Sequence, residues 1–391
     1  MIDFRYHLVS LISVFLALAV GIVLGAGPLK EAIGDTLTGE VDDLRASASD
    51  LRTQLAASQA EFADSQDAFA AVAPDLLAGT LEGRRIAIVE VGDAGDAVVR
   101  DVADRFAESG ATVSATVRVL GEWTDPTRSS YRRALAGSIM EYLDPAPAVD
   151  AGTSGELAEA LVQALTGRED TGADALSEDA RVVLQLLVDG GLVEAEETIT
   201  APADAIVVIV GPDADRPEVV PSADATSGPT DDETTVLRET EDAIVEIALA
   251  ADHRSEGVVV AGYGLADDGV LARLRSDDMT QRAVSTVAYV QFLVGEVGVP
   301  LALAQNIDGK AGHYGPDGDA TAAVPPRTVL KPPQDDLTPD DGIAPGGDGS
   351  GTDGSDPAAT DPAATDPAAT DPAATDPAGT GDPAAPEGAQ G

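Results

Sequence analysis

Arg85–Val91 reads RIAIVEV, and the same kind of run returns at Ala205–Gly211 (AIVVIVG) and Gly257–Gly262 (GVVVAG). These runs are rich in β-branched residues, do not alternate with polar ones, and stop against Gly, Pro or Asp. Uninterrupted apolar strands belong where both faces are covered, as in a parallel sheet. Thr112–Leu120 is a fourth strand candidate, with rough alternation. Helical periodicity fills the spaces at Asp96–Ser109, Ser129–Leu143, Glu156–Leu165, Ser177–Asp189, Asp232–Ala251 and Arg282–Val294. In the fifth of these, Val236, Leu237, Ile244, Ile247, Ala248 and Ala251 share one face, with Asp231 or Asp232 as N-cap. Strand–helix alternation predicts an α/β domain over residues 80–330, doubly wound around a mostly parallel sheet. Residues 212–231, rich in Pro, Asp and Ser, read as a loop or excursion.

N-terminal to this domain, Leu8–Leu29 (LVSLISVFLALAVGIVLGAGPL) runs 22 residues without a charge. At about 1.5 Å per residue it covers roughly 33 Å, enough for a hydrocarbon core of about 30 Å. It predicts a single transmembrane anchor within residues 1–30. A cleaved signal peptide is the rival reading. It ordinarily has a shorter apolar stretch, more positive charge than Arg5 alone, and a better cleavage signal than Ala26 with Gly two residues on. A short N-terminus is easily retained inside, which places the bulk of the chain outside the cytoplasm.

Between anchor and domain, residues 31–73 predict a coiled-coil stalk. Leu37, Val41, Leu44, Ala48, Leu51, Leu55, Ser58, Phe62, Ser65, Phe69 and Val72 alternate at spacings of four and three, and nine of these eleven are apolar. That is an a/d seam, which favours self-association into a homo-oligomer along 37–72. Glu40 then falls at g and Arg45 at the following e, an attractive pairing across a parallel dimer. An amphipathic helix packed on its own domain is the alternative. Pro74 is the expected end of the helix.

Beyond residue 331 the chain predicts disorder. DPAAT occurs four times in register from Asp356 to Thr375, and this tail carries 13 acids against one lysine. The whole chain of 391 residues has 69 acidic and 23 basic residues, a formal charge of -46. Such a surface repels nucleic acid and anionic lipid head groups, since binding either needs positive charge. With no cysteine, disulfides, zinc-thiolate sites, iron–sulfur clusters and thiol catalysis are excluded.

The glycines after two strands (Gly92 and Gly95; Gly262 and Gly264) stand where a nucleotide fold would approach phosphate, but neither stretch completes G-x-G-x-x-G. Asp93 and Asp96 crowd the first loop, and Asp267 and Asp268 the second, so tight turns are the better reading. The three histidines, His7, His253 and His313, are scattered, and the methionines are Met1, Met140 and Met279. No soft-metal site, resident cofactor or catalytic set emerges, and the chain does not read as an enzyme. With six Phe, six Tyr and one Trp, a single-chain transmembrane β-barrel does not fit, while an oligomeric pore stays open.

Three features carry a family resemblance: the opening MIDFRYHLVSLISVFLALAVGIVLGAGPL with its Asp3, Phe4, Arg5, Tyr6, His7 lead; the adjoining heptads; and Gly312, His313, Tyr314, Gly315 followed by Val324-Pro325. Together they resemble the actinobacterial copper-transport family of MctB over roughly residues 1–330. Ser285-Thr286-Val287 is similar to the family's stretch before its last helix, with Ala288 and Tyr289 where acidic residues are expected. The resemblance implies a cell-envelope protein linked to copper efflux or tolerance, at the cell membrane or outer membrane, with copper as its cargo and other envelope proteins as partners. His313 is the one metal-ligand candidate. The alternative is a structural envelope stalk that presents an interaction domain.

Overall fold

The computed structural model describes residues 4–26, 28–169, 172–195, 199–215, 231–264, 269–316, 318 and 320–333. Asp3, Asp267, Asp268, residues 216–230 of the expected excursion, and the tail from 334 lie outside the described residues.

In chain order the elements are α1 (Phe4–Ala26), α2 (Pro28–Leu77), β1 (Arg85–Val91), α3 (Asp96–Glu108), β2 (Thr112–Val119), α4 (Ser129–Ile139), α5 (Gly152–Thr166), β3 (Arg168–Glu169), β4 (Gly172–Leu176), α6 (Glu178–Asp189), β5 (Val193–Ala195), β6 (Ala205–Val210), α7 (Pro212–Asp215), α8 (Asp231–Arg254), β7 (Val258–Gly262), α9 (Val270–Ser276), α10 (Thr280–Ala283), β8 (Ser285–Val287), α11 (Leu293–Ile307) and β9 (His313–Tyr314). Seven strands form one open sheet in the order β5-β2-β1-β6-β7-β8-β9. All neighbours are parallel except β2 with β5. The chain builds outward in one direction from β1 to β2 and in the other from β6, so the topological switch lies between β1 and β6.

The period-two geometry of strands explains the unbroken apolar runs. Ala87, Val89, Val91, Ile206, Val208 and Val210 face a core shared with α4, α5, α6 and α8. Ile86, Ile88, Val207 and Ile209 face the opposite core, closed by α3 and α11. From Ile86 to Val91 and from Ala205 to Val210 every side chain is therefore covered on its own side, and no polar alternation is needed.

Two sequence expectations need correction at the ends of this layer. The helix expected over Arg282–Val294 is instead a turn of helix (α10), an extended segment (β8), a turn and then α11. Ser285–Val287 pairs with β7 and is buried throughout, so tertiary pairing decides the conformation of a stretch whose β-branched Thr286 and Val287 suit a strand. Tyr289 sits in the left-handed region at φ 63°, which ends any continuous helix there. The helix that does form, α11, contains Pro300 and two glycines and is buried nearly all round. At 15 residues it is a core helix, too short to span a membrane.

Pro74 does not end α2, which continues to Leu77. Ala73 and Leu77 are fully buried against Val297 and Leu301 of α11, so packing holds the last turn despite the missing proline N–H. The stop comes at Gly79, whose φ of 70° is the left-handed turn common after a helix. On α8 the buried residues are Ala243, Ile244, Ile247, Ala248, Ala250 and Ala251, while Val236 faces outward; the apolar face thus begins later than its sequence periodicity implies.

Candidate functional site

In an open α/β sheet, ligands ordinarily bind at the carboxyl ends of the strands flanking the switch point. Here the β1–α3 and β6–α7 turns meet and fill that crevice. A Cβ on Gly211 would lie 2.6 Å from the Asp93 carbonyl, and one on Gly92 would lie 2.8 Å from the Ala214 Cβ. The glycines allow two backbones to touch rather than a backbone to approach phosphate. Beneath them Glu90, 1% exposed, accepts from Arg118 Nε at 2.7 Å and from the Ala94 N–H at 3.0 Å. Arg118 also reaches Asp96 at 3.3 Å, and its hydrogen bond and charge pairing with Glu90 raise its pKa. Tyr263 donates to the Ala94 carbonyl at 2.5 Å; burial, then the charges of Asp93 and Glu90, raise its pKa. The closed crevice and its carboxylates are a poor phosphate receptor.

The Gly312–Gly315 motif builds the last strand of the sheet. Gly312 donates its N–H to Ser285 Oγ at 3.1 Å, and its carbonyl receives the Thr286 N–H at 3.0 Å. The half-buried His313 ring places Nδ1 3.0 Å from Thr286 Oγ1, which in turn accepts from Arg275 Nε at 2.9 Å. With Arg275 donating to Thr286 Oγ1, a consistent assignment has the Thr286 hydroxyl donating to Nδ1. Burial first, then the Arg275 charge, lower the His313 pKa, and the neutral ring is the form this network fits. Nδ1 thus ties β9 to β8, and a metal ion bound at that nitrogen would have to displace this bond. Tyr314 is buried, and its carbonyl accepts from Arg275 Nη2 at 3.1 Å and from the Ala288 N–H at 2.9 Å. Ala288 itself is 1% exposed, so the apolar residue standing where an acid was expected suits its surroundings. The other half of the motif, Phe4 to His7, forms the exposed first turn of α1.

The described residues also line an open cleft of about 670 Å³ between α5, α8 and the 144–148 loop, bordered by Glu159, Glu246, His253, Arg254 and Met279. Sequence spacing gave no sign that His253 and Met279 share one space. His253 Nδ1 lies 3.8 Å from Glu159, which is already paired with Arg254. Burial, then repulsion by Asp242 and Glu159, raise the Glu246 pKa. Among the described residues, no three His, Asp or Glu side chains converge at metal-ligand spacing.

The heptad stripe divides. Val41, Leu44, Leu51 and Leu55 are exposed. Further along, Phe62 meets Phe292 edge-on at 5.7 Å, and Phe69 packs beside Ala73 and Leu77 on α11. Phe4–Gly25 is the one described helix long and apolar enough to cross a membrane, and none of it is covered by the rest of the chain.

These features define a doubly wound α/β domain carried on a long helix that follows a membrane-type segment. The family described as "Copper transport outer membrane protein, MctB" matches residues 1–325, and the chain belongs to that family. It is 27% identical over 326 residues to the copper transporter MctB of Mycobacterium tuberculosis (strain ATCC 25618 / H37Rv), covering 81% of this chain and 96% of that relative. The protein of the same name from Mycobacterium bovis matches to the same extent. The Mycobacterium leprae protein of that name is 40% identical over 140 residues, 36% of this chain and 44% of its own.

Proposed function

We propose that this chain is a single-pass, membrane-anchored cell-envelope protein of copper transport, with its α/β domain outside the cytoplasm and several copies acting together rather than by catalysis. The observation that carries the reading is the pair of helices α1 and α2. The first is apolar and uncovered, and the second, 50 residues long, ends packed against α11 of the α/β domain. A helix of that length spans about 75 Å, so the domain is held off the membrane on its own structural element. Family membership supplies the cargo, and the strongly acidic surface favours cations over anions. The role is efflux or tolerance: cells lacking the protein should accumulate copper and grow poorly in it, and re-expression of the full chain should reverse both. Unchanged copper content and growth would overturn the reading. Protease applied to intact cells should cut within residues 80–330; complete protection would reverse the orientation.

A second reading, a structural stalk presenting an interaction domain with no transport role, is favoured by the lack of converging metal ligands among the described residues. Copper titration of the detergent-solubilised full chain separates the two. Stoichiometric binding supports copper handling by this chain itself, and none supports the stalk.

A further inference from the structure

The stripe on α2 changes its period along its length. From Val41 to Leu55 the apolar residues keep the 3.5-residue heptad, and Val41, Leu44, Leu51 and Leu55 remain open. Below Ser58 the residues that turn inward are Gln66, Phe69, Ala73 and Leu77, with Phe62 leaning on Phe292. Their spacing of three and four drifts off the heptad to follow the 3.6-residue turn of a straight helix lying on a domain. Val72, which continues the heptad in sequence, is accordingly left 48% exposed. One helix therefore carries two seams, and only the lower is filled by this chain.

Charge placement says what fills the upper one. Arg45 and Arg52 are the only basic residues between Lys30 and Arg84, and both fall at e positions beside the seam. The acids of this stretch, Asp42, Asp43 and Asp50, fall at b and c, away from it, and Glu40 falls at g opposite Arg45 of a parallel neighbour. In the single chain Arg45 pairs only with the exposed Asp42, an interaction weak enough to be exchanged. A seam of two to three heptads is short for association in dilute solution. Copies anchored in one membrane share an orientation and a high effective concentration, which offsets that shortness.

We infer that the partner of α2 is a second copy of this chain, aligned parallel and in register along Val41–Leu55, and that the pairing ends near Ser58, where each helix turns to its own α/β domain. The two domains then stand apart, each held by its own Phe62–Phe292 contact. This rests on the oligomeric reading above and adds the stretch that pairs, its register and its limit at Ser58.

The absence of cysteine simplifies the test, since among copies of this chain one introduced thiol can bridge only to its counterpart, giving a disulfide species of twice the chain mass. Leu44→Cys, Leu51→Cys and Val72→Cys all lie at d positions and are exposed in the single chain. In full-length protein in native membranes, mild oxidation should convert the first two largely to a disulfide dimer and leave Val72→Cys monomeric. Bridging at all three would overturn the boundary at Ser58. No bridging, with a dimeric or larger mass after detergent extraction, would overturn the seam but leave the oligomeric reading intact. No bridging with a monomeric mass would overturn both.

Discussion

The centre of the sheet and its β8–α11–β9 edge solve the same problem in different ways. At the centre, β1 and β6 run seven and six residues, pair along their whole length, and bury apolar side chains on both faces. At the edge, β8 and β9 have three and two residues and are held as much by side chains as by backbone: Arg275, Thr286 and His313 form one hydrogen-bonded chain from α9 across β8 to β9. The centre is stabilised chiefly by non-directional burial of apolar side chains. The edge depends on particular donors and acceptors, and it carries the Gly312–Gly315 motif.

Substitutions should separate these two modes, read as urea unfolding of the full chain in detergent. The largest loss is expected at the centre: Ile88→Ala, fully buried on the α3–α11 side, should cost about 2–5 kcal/mol. A smaller cost there than for Val287→Ala at the edge would break the distinction. Next, Arg118→Ala should cost about 1–3 kcal/mol, because Glu90 stays buried with the Ala94 N–H as its remaining hydrogen bond; the partial exposure of Arg118 keeps the figure low. At the edge, Thr286→Val preserves shape but removes the hydroxyl between Arg275 and His313, at about 1–2 kcal/mol. A neutral result would mean that backbone pairing alone holds β9.

The smallest effect is in pH dependence. The folded pKa of His313 lies below its ordinary 6.5, so the unfolded chain takes up the proton first as pH falls. Its contribution to stability is full above pH 6.5 and declines as pH falls below that value towards the lowered folded pKa. His313→Asn should remove this component, visible as a flatter stability profile across that acidic window. An unchanged profile would show that burial and the Arg275 charge do not hold the ring neutral.

The legibility of the chain follows the same division. RIAIVEV and AIVVIVG were readable because burial on both faces leaves a composition that no neighbour can alter. The strand at Ser285–Val287 falls inside the helix expected over Arg282–Val294 because the turn at Tyr289 and the pairing to β7 leave no local mark, and the helix at Leu293–Ile307 lies almost wholly beyond that span. Nor did a helix holding Pro300 and two glycines advertise itself. The site residues divide likewise. Gly312–Gly315 stood out as a motif, but its role as a clasp depends on Thr286 and Arg275, brought to it by folding. Likewise, the shared cleft of His253 and Met279, 26 positions apart, depends on how α8 and the segment before α10 pack.

Local physics, by itself, determined the apolar span at the N-terminus, the heptad on α2, the α/β class and the acidic charge, because each is a property of composition or of short-range periodicity. Tertiary structure alone decided that α2 passes Pro74 to dock on α11, that the two turns at the switch point close the nucleotide crevice, and that the heptad stripe serves its own domain below Ser58 while staying open above it. Those outcomes depend on which surfaces meet, and the free energy of burial is fixed only when both partners are in place.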